Sequence, residues 1–321
     1  MPKVKGVYKD GLRVVSPLRT WSDDFSFATL GIPALRNDFQ DSKYMQTHYH
    51  TQFDNEETYN EKALRYHQNL YGLLGIYHDQ TARLPLDFSE RFKALKASLK
   101  SDSDMAPKDQ YQSLIQKLDQ ANKTAQKVAK KAKAINKDYQ ILKAKNPEKA
   151  SQLMADQVSQ NQELLAIFKK AESQLVKLTW EDEPIFAHEH SQNNIQALEK
   201  ARDLLQKGKA QEALDQELYK VDNNWYAYDF DKEVYNYFTD YVLKPGKEKL
   251  LWGTGKIVSH RDLYDLIASL KGKANNKSKD FKDEIAVIDQ AIADEKAVLK
   301  VSLTQEMEVI ASLEAELNKI N

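Results

Sequence analysis

The sequence predicts a two-part chain: a short α/β portion that cannot complete a sheet by itself, then a mainly α-helical region with a long antiparallel coiled-coil hairpin. Three observations predict it. Mixed strand and helix signals are confined to residues 1–82. From about residue 89 the composition shifts to Lys, Glu, Gln, Ala and Leu, with almost no strand signal. Between residues 110 and 145, apolar positions recur in alternating steps of four and three.

In the first part, Leu12 to Ser16 is a β-branched run, Ser22 is placed to cap a helical turn through Leu30, and Gly31 to Leu35 reads as a strand entered through a glycine turn. Glu61 to Tyr77 reads as a helix, with Ala63, Tyr66, Leu70, Leu73 and Tyr77 along one face. One such helix and two strands leave an unpaired strand edge and a half-covered apolar face, so the rest of the sheet must come from other sequence.

In the second part, the residues at steps of four and three are Leu114, Leu118, Ala121, Ala125, Val128, Ala132, Ile135, Tyr139 and Leu142, the seam of a coiled coil. Asn146-Pro147 breaks that helix, because proline lacks the amide donor and restricts its predecessor. A second seam is read through Met154, Val158, Leu165, Phe168 and Leu175. The two form the hairpin, over about 108–178, as an arm on the order of 50 Å long at about 1.5 Å per residue. A helical bundle is expected over about 185–321, with a helix-turn-helix at Ile195 to Leu218 around Gly208. Its last helix, about 281–320, has a seam in Ile292, Leu299, Leu303, Ile310, Leu313, Leu317 and Ile320, interrupted by Lys296 and Glu306. Lys271 to Asp280 reads as a flexible loop. The domain division expected is therefore 1–82 and 83–321.

Lys and Arg total 47 against 48 Asp and Glu, a net charge of -1, which argues against a nucleic-acid partner. Cysteine is absent, excluding disulfides, thiolate metal sites and cysteine nucleophiles. The N-terminal residues hold no apolar signal core, and no window approaches the roughly 18 apolar residues needed to span a bilayer. As written, the chain would not be exported and has no membrane span.

The most informative stretch is Thr47-His48-Tyr49-His50-Thr51-Gln52-Phe53-Asp54, preceded by Trp21-Ser22-Asp23-Asp24-Phe25-Ser26-Phe27 and Gly31-Ile32-Pro33-Ala34. In a strand, histidines two apart share a face and can both ligate one metal; in a loop only one need point inward.

The combined motif resembles the C-terminal part of the co-catalytic zinc exopeptidases of the aminopeptidase Y, glutamate-carboxypeptidase-like and transferrin-receptor-like family. There a Ser-Asp-x-x-x-Phe turn leads to Gly-Ile-Pro-Ala, and a Tyr-His-Thr-x-x-Asp segment precedes the closing helix. The resemblance covers roughly residues 6–80 and implies that the α/β portion is part of that family's sheet. It implies His50 as the last zinc ligand and Tyr49 as a tyrosine that helps hold the oxyanion. Asp23 would organise the pocket floor and Arg36 would contact substrate. Asp24 departs from the pattern, standing where many members have histidine.

Such enzymes use two zinc ions to activate a bridging water. The remaining ligands and the general-base glutamate come from sequence before Met1, so the resemblance implies a peptidase fragment inactive alone. Its partners would be the missing N-terminal half, a peptide substrate and a second copy of the chain through the helices; its parent would be secreted or on the bacterial cell surface. The alternative is a helical coiled-coil interaction protein with a vestigial peptidase remnant.

Other candidates read more plainly. His188-Glu189-His190 lacks the spacing of a helical zinc motif and reads as surface or capping histidines. The aromatic run from Trp225 to Tyr241 reads as the core stripe of a helix, through Val234, Tyr237, Phe238 and Tyr241, rather than a ligand groove. Trp252 to Lys256 reads as a turn, not a phosphate loop. Lys130, Lys131 and Lys133 read as the solvated face of a helix.

Overall fold

A computed structural model describes residues 20, 23–35, 42–101, 103–244, 255–275 and 280–320. In chain order the helices are α1 (Asp23–Thr29), α2 (Ser42–Thr47), α3 (Glu61–Asp79), α4 (Ser89–Ser98), α5 (Lys108–Lys145), α6 (Pro147–Asp156) and α7 (Val158–Leu175). Two short strands follow, β1 (Val176–Leu178) and β2 (Pro184–Phe186). Then come α8 (Ala187–Gln206), α9 (Ala210–Gln216), α10 (Tyr226–Asp229), α11 (Lys232–Leu243), α12 (Tyr264–Asn275) and α13 (Lys282–Lys319). The described protein is mainly helical. Its one sheet is the antiparallel pair β1–β2, with Lys177 opposite Ile185. No described helix is long and apolar enough to cross a membrane.

The chain divides into two compact units, one of residues 1–86 with 129–166 and one of residues 87–128 with 167–321. In the first, α1 buries Phe25 and Ala28. Residues 32–35 form no strand with any described residue, and the Leu12–Ser16 run lies outside the described residues. A strand needs a ladder partner for its N–H and C=O groups, and none of the described residues supplies one. Along α3 only His67 is fully buried, while Leu64, Tyr71, Leu73, Ile76 and Tyr77 are exposed.

The first unit is fastened by two asparagines. Asn136 of α5 accepts from the backbone N–H of Ala82 and Arg83, at 2.9 and 2.8 Å, and donates to the Arg83 carbonyl at 2.8 Å. Asn161 of α7 accepts from Leu84 N and donates to the Ala82 carbonyl, both at 2.9 Å. Together they replace the ladder that the 82–84 segment would otherwise need, and Arg83 lies buried with a guanidinium nitrogen 3.1 Å from Gln160 Oε1. Asn136→Leu keeps the volume but strands two buried donors, so a loss of roughly 2–5 kcal/mol is expected. Urea unfolding of the variant measures it, and a loss below about 1 kcal/mol would show that the segment finds other partners.

The seam residues of α5 are buried from Leu114 to Ala132 and again at Tyr139, with Ile135 and Leu142 half-buried. Asn146 caps α6 through Lys149 N and Pro147 occupies its first turn, so the break falls where proline chemistry puts it. The second seam is corrected. Met154 and Val158 are exposed and Leu165 and Phe168 only half-buried; the buried positions are Ala150, Gln157, Leu164, Ile167, Ala171 and Leu175. The buried stripe thus runs through a small and a polar residue that a search for large apolar side chains passes over.

In the second unit α8 packs mainly on α13, and α9 on α8 and α12. Gly208, at φ 74, ends α8 in the left-handed conformation that glycine reaches without strain. The α13 seam is buried from Ile292 to Ile320. The Lys271–Asp280 stretch is corrected: residues 271–275 belong to α12, and 276–279 lie outside the described residues.

Candidate functional site

The Tyr49–His50 segment belongs to the first unit. Helix α2 ends at Thr47, whose hydroxyl donates to the Lys43 carbonyl at 2.7 Å and lies 2.5 Å from His48 Nδ1. The chain then turns through His50 at φ 59, a left-handed conformation costing roughly 1–2 kcal/mol outside glycine. Thr51 stabilises the turn by donating to the His48 carbonyl at 2.7 Å and accepting from Phe53 N at 3.1 Å.

Four aromatic rings line this turn. Tyr44 lies parallel to His48 at 6.0 Å, and Tyr49 stacks on His50 at 3.9 Å. A hydrogen bond to Asp54 raises the Tyr44 hydroxyl above its ordinary pKa. Tyr49 and His50 are both exposed, and the His50 ring nitrogens make no hydrogen bond to a described residue. Asp23 is the exposed first residue of α1, and Arg36 lies outside the described residues. Asp24 differs: both carboxylate oxygens are buried and have no hydrogen-bond partner. Among the described residues, no group of three or more His, Asp or Glu is placed to hold a metal.

A polar network missed at the level of sequence fills the core of the second unit. His188 and His190 of α8 are buried, correcting the expectation of surface histidines; Glu189 accepts from Phe186 N at the start of the helix. His188 Nδ1 meets Glu306 at 2.9 Å, so the residue that interrupts the α13 seam is a buried partner rather than a defect. His190 Nε2, Asn194 Nδ2 and Arg261 N converge on the Asp222 carboxylate. His260 Nδ1 lies 3.9 Å from the same group, and its Nε2 is 2.7 Å from the Tyr235 hydroxyl. Asp222 itself holds φ 49, and burial raises the Tyr235 hydroxyl far above its ordinary pKa.

Three buried glutamates of α13, Glu284, Glu295 and Glu306, are spaced by eleven residues, which is three helical turns. They meet Lys273 at 2.7 Å, Arg261 at 2.9 Å and His188 in turn. That spacing was visible in the sequence and is the signal that marks the network's face.

The aromatic stripe is also corrected. Tyr235, with its polar end hydrogen-bonded, is the buried aromatic of α11, whereas Tyr237, Phe238 and Tyr241 are exposed. Gly255 and Lys256 do form a turn; Trp252 to Thr254 lie outside the described residues.

Acidification is expected to destabilise this unit in two stages. Burial holds the His260 imidazole below its ordinary 6.5, against the opposing pull of Asp222 and Asp262 and with Arg261 and His190 reinforcing it. The unfolded chain therefore takes up a proton first, and stability falls as pH drops below about 6.5. Burial would push the Glu284 carboxyl up, but hydrogen bonds from Lys273 and Ser269 outweigh it and hold the group below 4.5. That contribution is present above the unfolded value and is lost as pH falls through the folded one. Urea midpoints at successive pH values should decline through both windows, and Glu284→Gln should flatten only the lower one; a rise on acidification would contradict both signs.

No known protein family, curated protein or solved structure matches the chain.

Proposed function

We propose that residues 1–82 are the closing portion of a co-catalytic zinc exopeptidase domain, in which His50 supplies one imidazole and other polypeptide supplies the remaining ligands. The observation that carries this reading is Asp24. Asp24 is half-buried, and its two shielded carboxylate oxygens have no hydrogen-bond partner among the described residues, so a donor or cation from other polypeptide would satisfy them. The exposed apolar side chains of the same region support it: Phe27 on α1, Leu30, Ile32 and Leu35 just after it, and Leu73 and Ile76 on α3 offer apolar surface that other polypeptide would cover.

The residues present fit a partial metal site. The His50 imidazole has ring nitrogens without a hydrogen-bond partner among the described residues, the donor type zinc accepts, but one imidazole does not meet the three or four ligands a stable site requires. When bound, the zinc pair lowers the pKa of a water and polarises the scissile carbonyl. Tyr49, stacked on His50, would supply a phenolic donor to the oxyanion that develops on a peptide substrate. The segment 32–35 would join the sheet of the completed domain. The buried stripes of α5 and α7 support an antiparallel coiled-coil hairpin beyond it, and the parent would be secreted or at the cell surface.

Zinc content tests the ligand assignment. A complete domain, with the upstream ligands restored, should hold about two zinc ions and its His50→Ala variant about one. Unchanged stoichiometry in the variant removes His50 from the site. A second reading, a helical interaction protein, draws on the extent of the second unit, where no metal group occurs among the described residues.

A further inference from the structure

The exposed apolar surface described in the second unit is concentrated in one stretch. All its exposed large apolar side chains except Val287 and Val301 fall between Tyr219 and Leu243. Most are aromatic, and their rings follow one another in contact: Trp225 on Tyr226 at 3.8 Å, Tyr226 against Phe230 and Phe238 at 5.3 Å each, Phe238 against Tyr237 at 5.5 Å and Tyr237 against Tyr241 at 6.3 Å. Tyr237 is 64% exposed. The fold turns these rings outward because Tyr235 and Thr239 occupy the buried side of α11. At about 100° per residue, Glu233, Tyr237, Asp240 and Tyr241 share an arc of about 100° on the opposite side, so carboxylates and rings alternate along one exposed face. A contiguous aromatic patch of this kind marks an interaction surface.

We propose that this face binds a polypeptide segment rich in arginine. The sign of its charge selects a cation. Asp229, Asp231 and Glu233, beside the rings, are exposed and form no ion pair with a described residue, whereas each lysine of the stretch is already paired: Lys220 with Glu217, Lys232 with Asp265 and Lys244 with Asp240. These carboxylates repel the phosphates of nucleic acid and anionic lipid, and an uncharged partner would strip water from them without return. Rings of the same unit already take cations: Lys220 lies over Tyr219 at 5.7 Å, Lys232 over Tyr264 at 5.8 Å and Lys271 over Tyr228 at 5.9 Å. Guanidinium fits the alternation better than ammonium, because its plane stacks on a ring while its edge meets a carboxylate through two N–H groups. Length selects a polymer over a single small cation. The 12 residues of α11 span about 18 Å, which an extended segment of about five or six residues covers at about 3.3 Å each.

The test is fluorescence anisotropy on the full chain with a labelled peptide of repeating arginine, glycine and serine, and with its lysine counterpart at equal charge. At about 50 mM salt the arginine peptide is expected to bind at least about threefold tighter than the lysine peptide. Phe230→Ser with Tyr237→Ser, which removes two exposed rings, should weaken it about fivefold or more. Asp229→Asn, Asp231→Asn and Glu233→Gln together should weaken it about as much and reduce its salt dependence, since exposed charge pairs are screened. Asparagine keeps the cap that Asp231 gives the Val234 N–H. Should the ring variant alter the circular dichroism spectrum, the nearly isosteric carboxylate variant decides the outcome. A control, Val287→Ser with Val301→Ser, removes exposed apolar side chains elsewhere in the unit and should leave affinity within about twofold. The proposal is overturned by no binding at about 50 mM salt, by equal affinity for the lysine peptide, by losses in the ring and carboxylate variants no larger than the control's, or by tighter binding of labelled cellohexaose or poly(U) than of the arginine peptide.

Discussion

Asp222→Ala is expected to lower the unfolding free energy of the second unit by about 3–5 kcal/mol, the range for removing one partner from a buried charged network. The carboxylate is almost wholly buried and receives His190 Nε2, Asn194 Nδ2 and the backbone N–H of Arg261. Truncation strands all three and leaves His260 Nδ1, already without a hydrogen bond, facing an empty space. The stranded donors matter more than the lost attraction, because each pays its desolvation without return. Asp222→Asn separates the two contributions, keeping an acceptor oxygen in place while removing the charge, and should lose less. Asp222→Gly relieves the backbone at φ 49 by roughly 1 kcal/mol yet still loses the carboxylate, so it should fall close to alanine. Urea unfolding followed by far-ultraviolet circular dichroism gives the order. If the alanine variant lost less than about 1 kcal/mol, the convergence on Asp222 would be incidental to stability.

The sequence made some of this fold legible and hid the rest for identifiable reasons. The seams of α5 and α13 were readable because heptad burial is a local property, written in side-chain size every three or four residues. Asn146-Pro147 and Gly208 were readable because backbone chemistry acts within one turn. The register of α7 was not, since Ala150 and Gln157 occupy buried positions while the more apolar Met154 and Val158 face outward. Apolarity states what a residue tolerates, and the neighbouring helices decide which face is covered.

The same division runs through the candidate sites. Tyr49 and His50 could be singled out as candidates because their signal lies in one contiguous stretch, while their ring contact comes from the fold. The Asp222 cluster joins residues 32 positions apart to His190 and 39 to Arg261, so no local window contains it. Only the eleven-residue recurrence of Glu284, Glu295 and Glu306, which the sequence reading passed over, carried a local sign that α13 turns a polar face inward. Isolated glutamates within an apolar seam look like interruptions until their partners, Lys273, Arg261 and His188, are brought in by tertiary structure.

In a complete exopeptidase domain, His50→Ala is expected to reduce kcat/KM on aminoacyl-4-nitroanilides by about a thousandfold or more. The several kcal/mol of transition-state stabilisation that a metal supplies correspond to that factor. Tyr49→Phe should act differently. Phenylalanine keeps the 3.9 Å ring contact with His50 and should leave zinc content intact, while deleting the donor proposed for the oxyanion. Loss of a single such donor is worth roughly 100- to 1,000-fold in kcat with little change in KM. The contrast discriminates roles within one turn, because a merely structural contribution from Tyr49 would move stability and zinc content together, and a ligand role for His50 would move zinc content and rate together. Replacing His50 with asparagine adds a control on the backbone, since asparagine tolerates the left-handed conformation at φ 59 but is a poorer zinc ligand. Wild-type rates in His50→Asn, with zinc retained, would show that the turn requires a residue suited to positive φ and not an imidazole, and the metal assignment would fail.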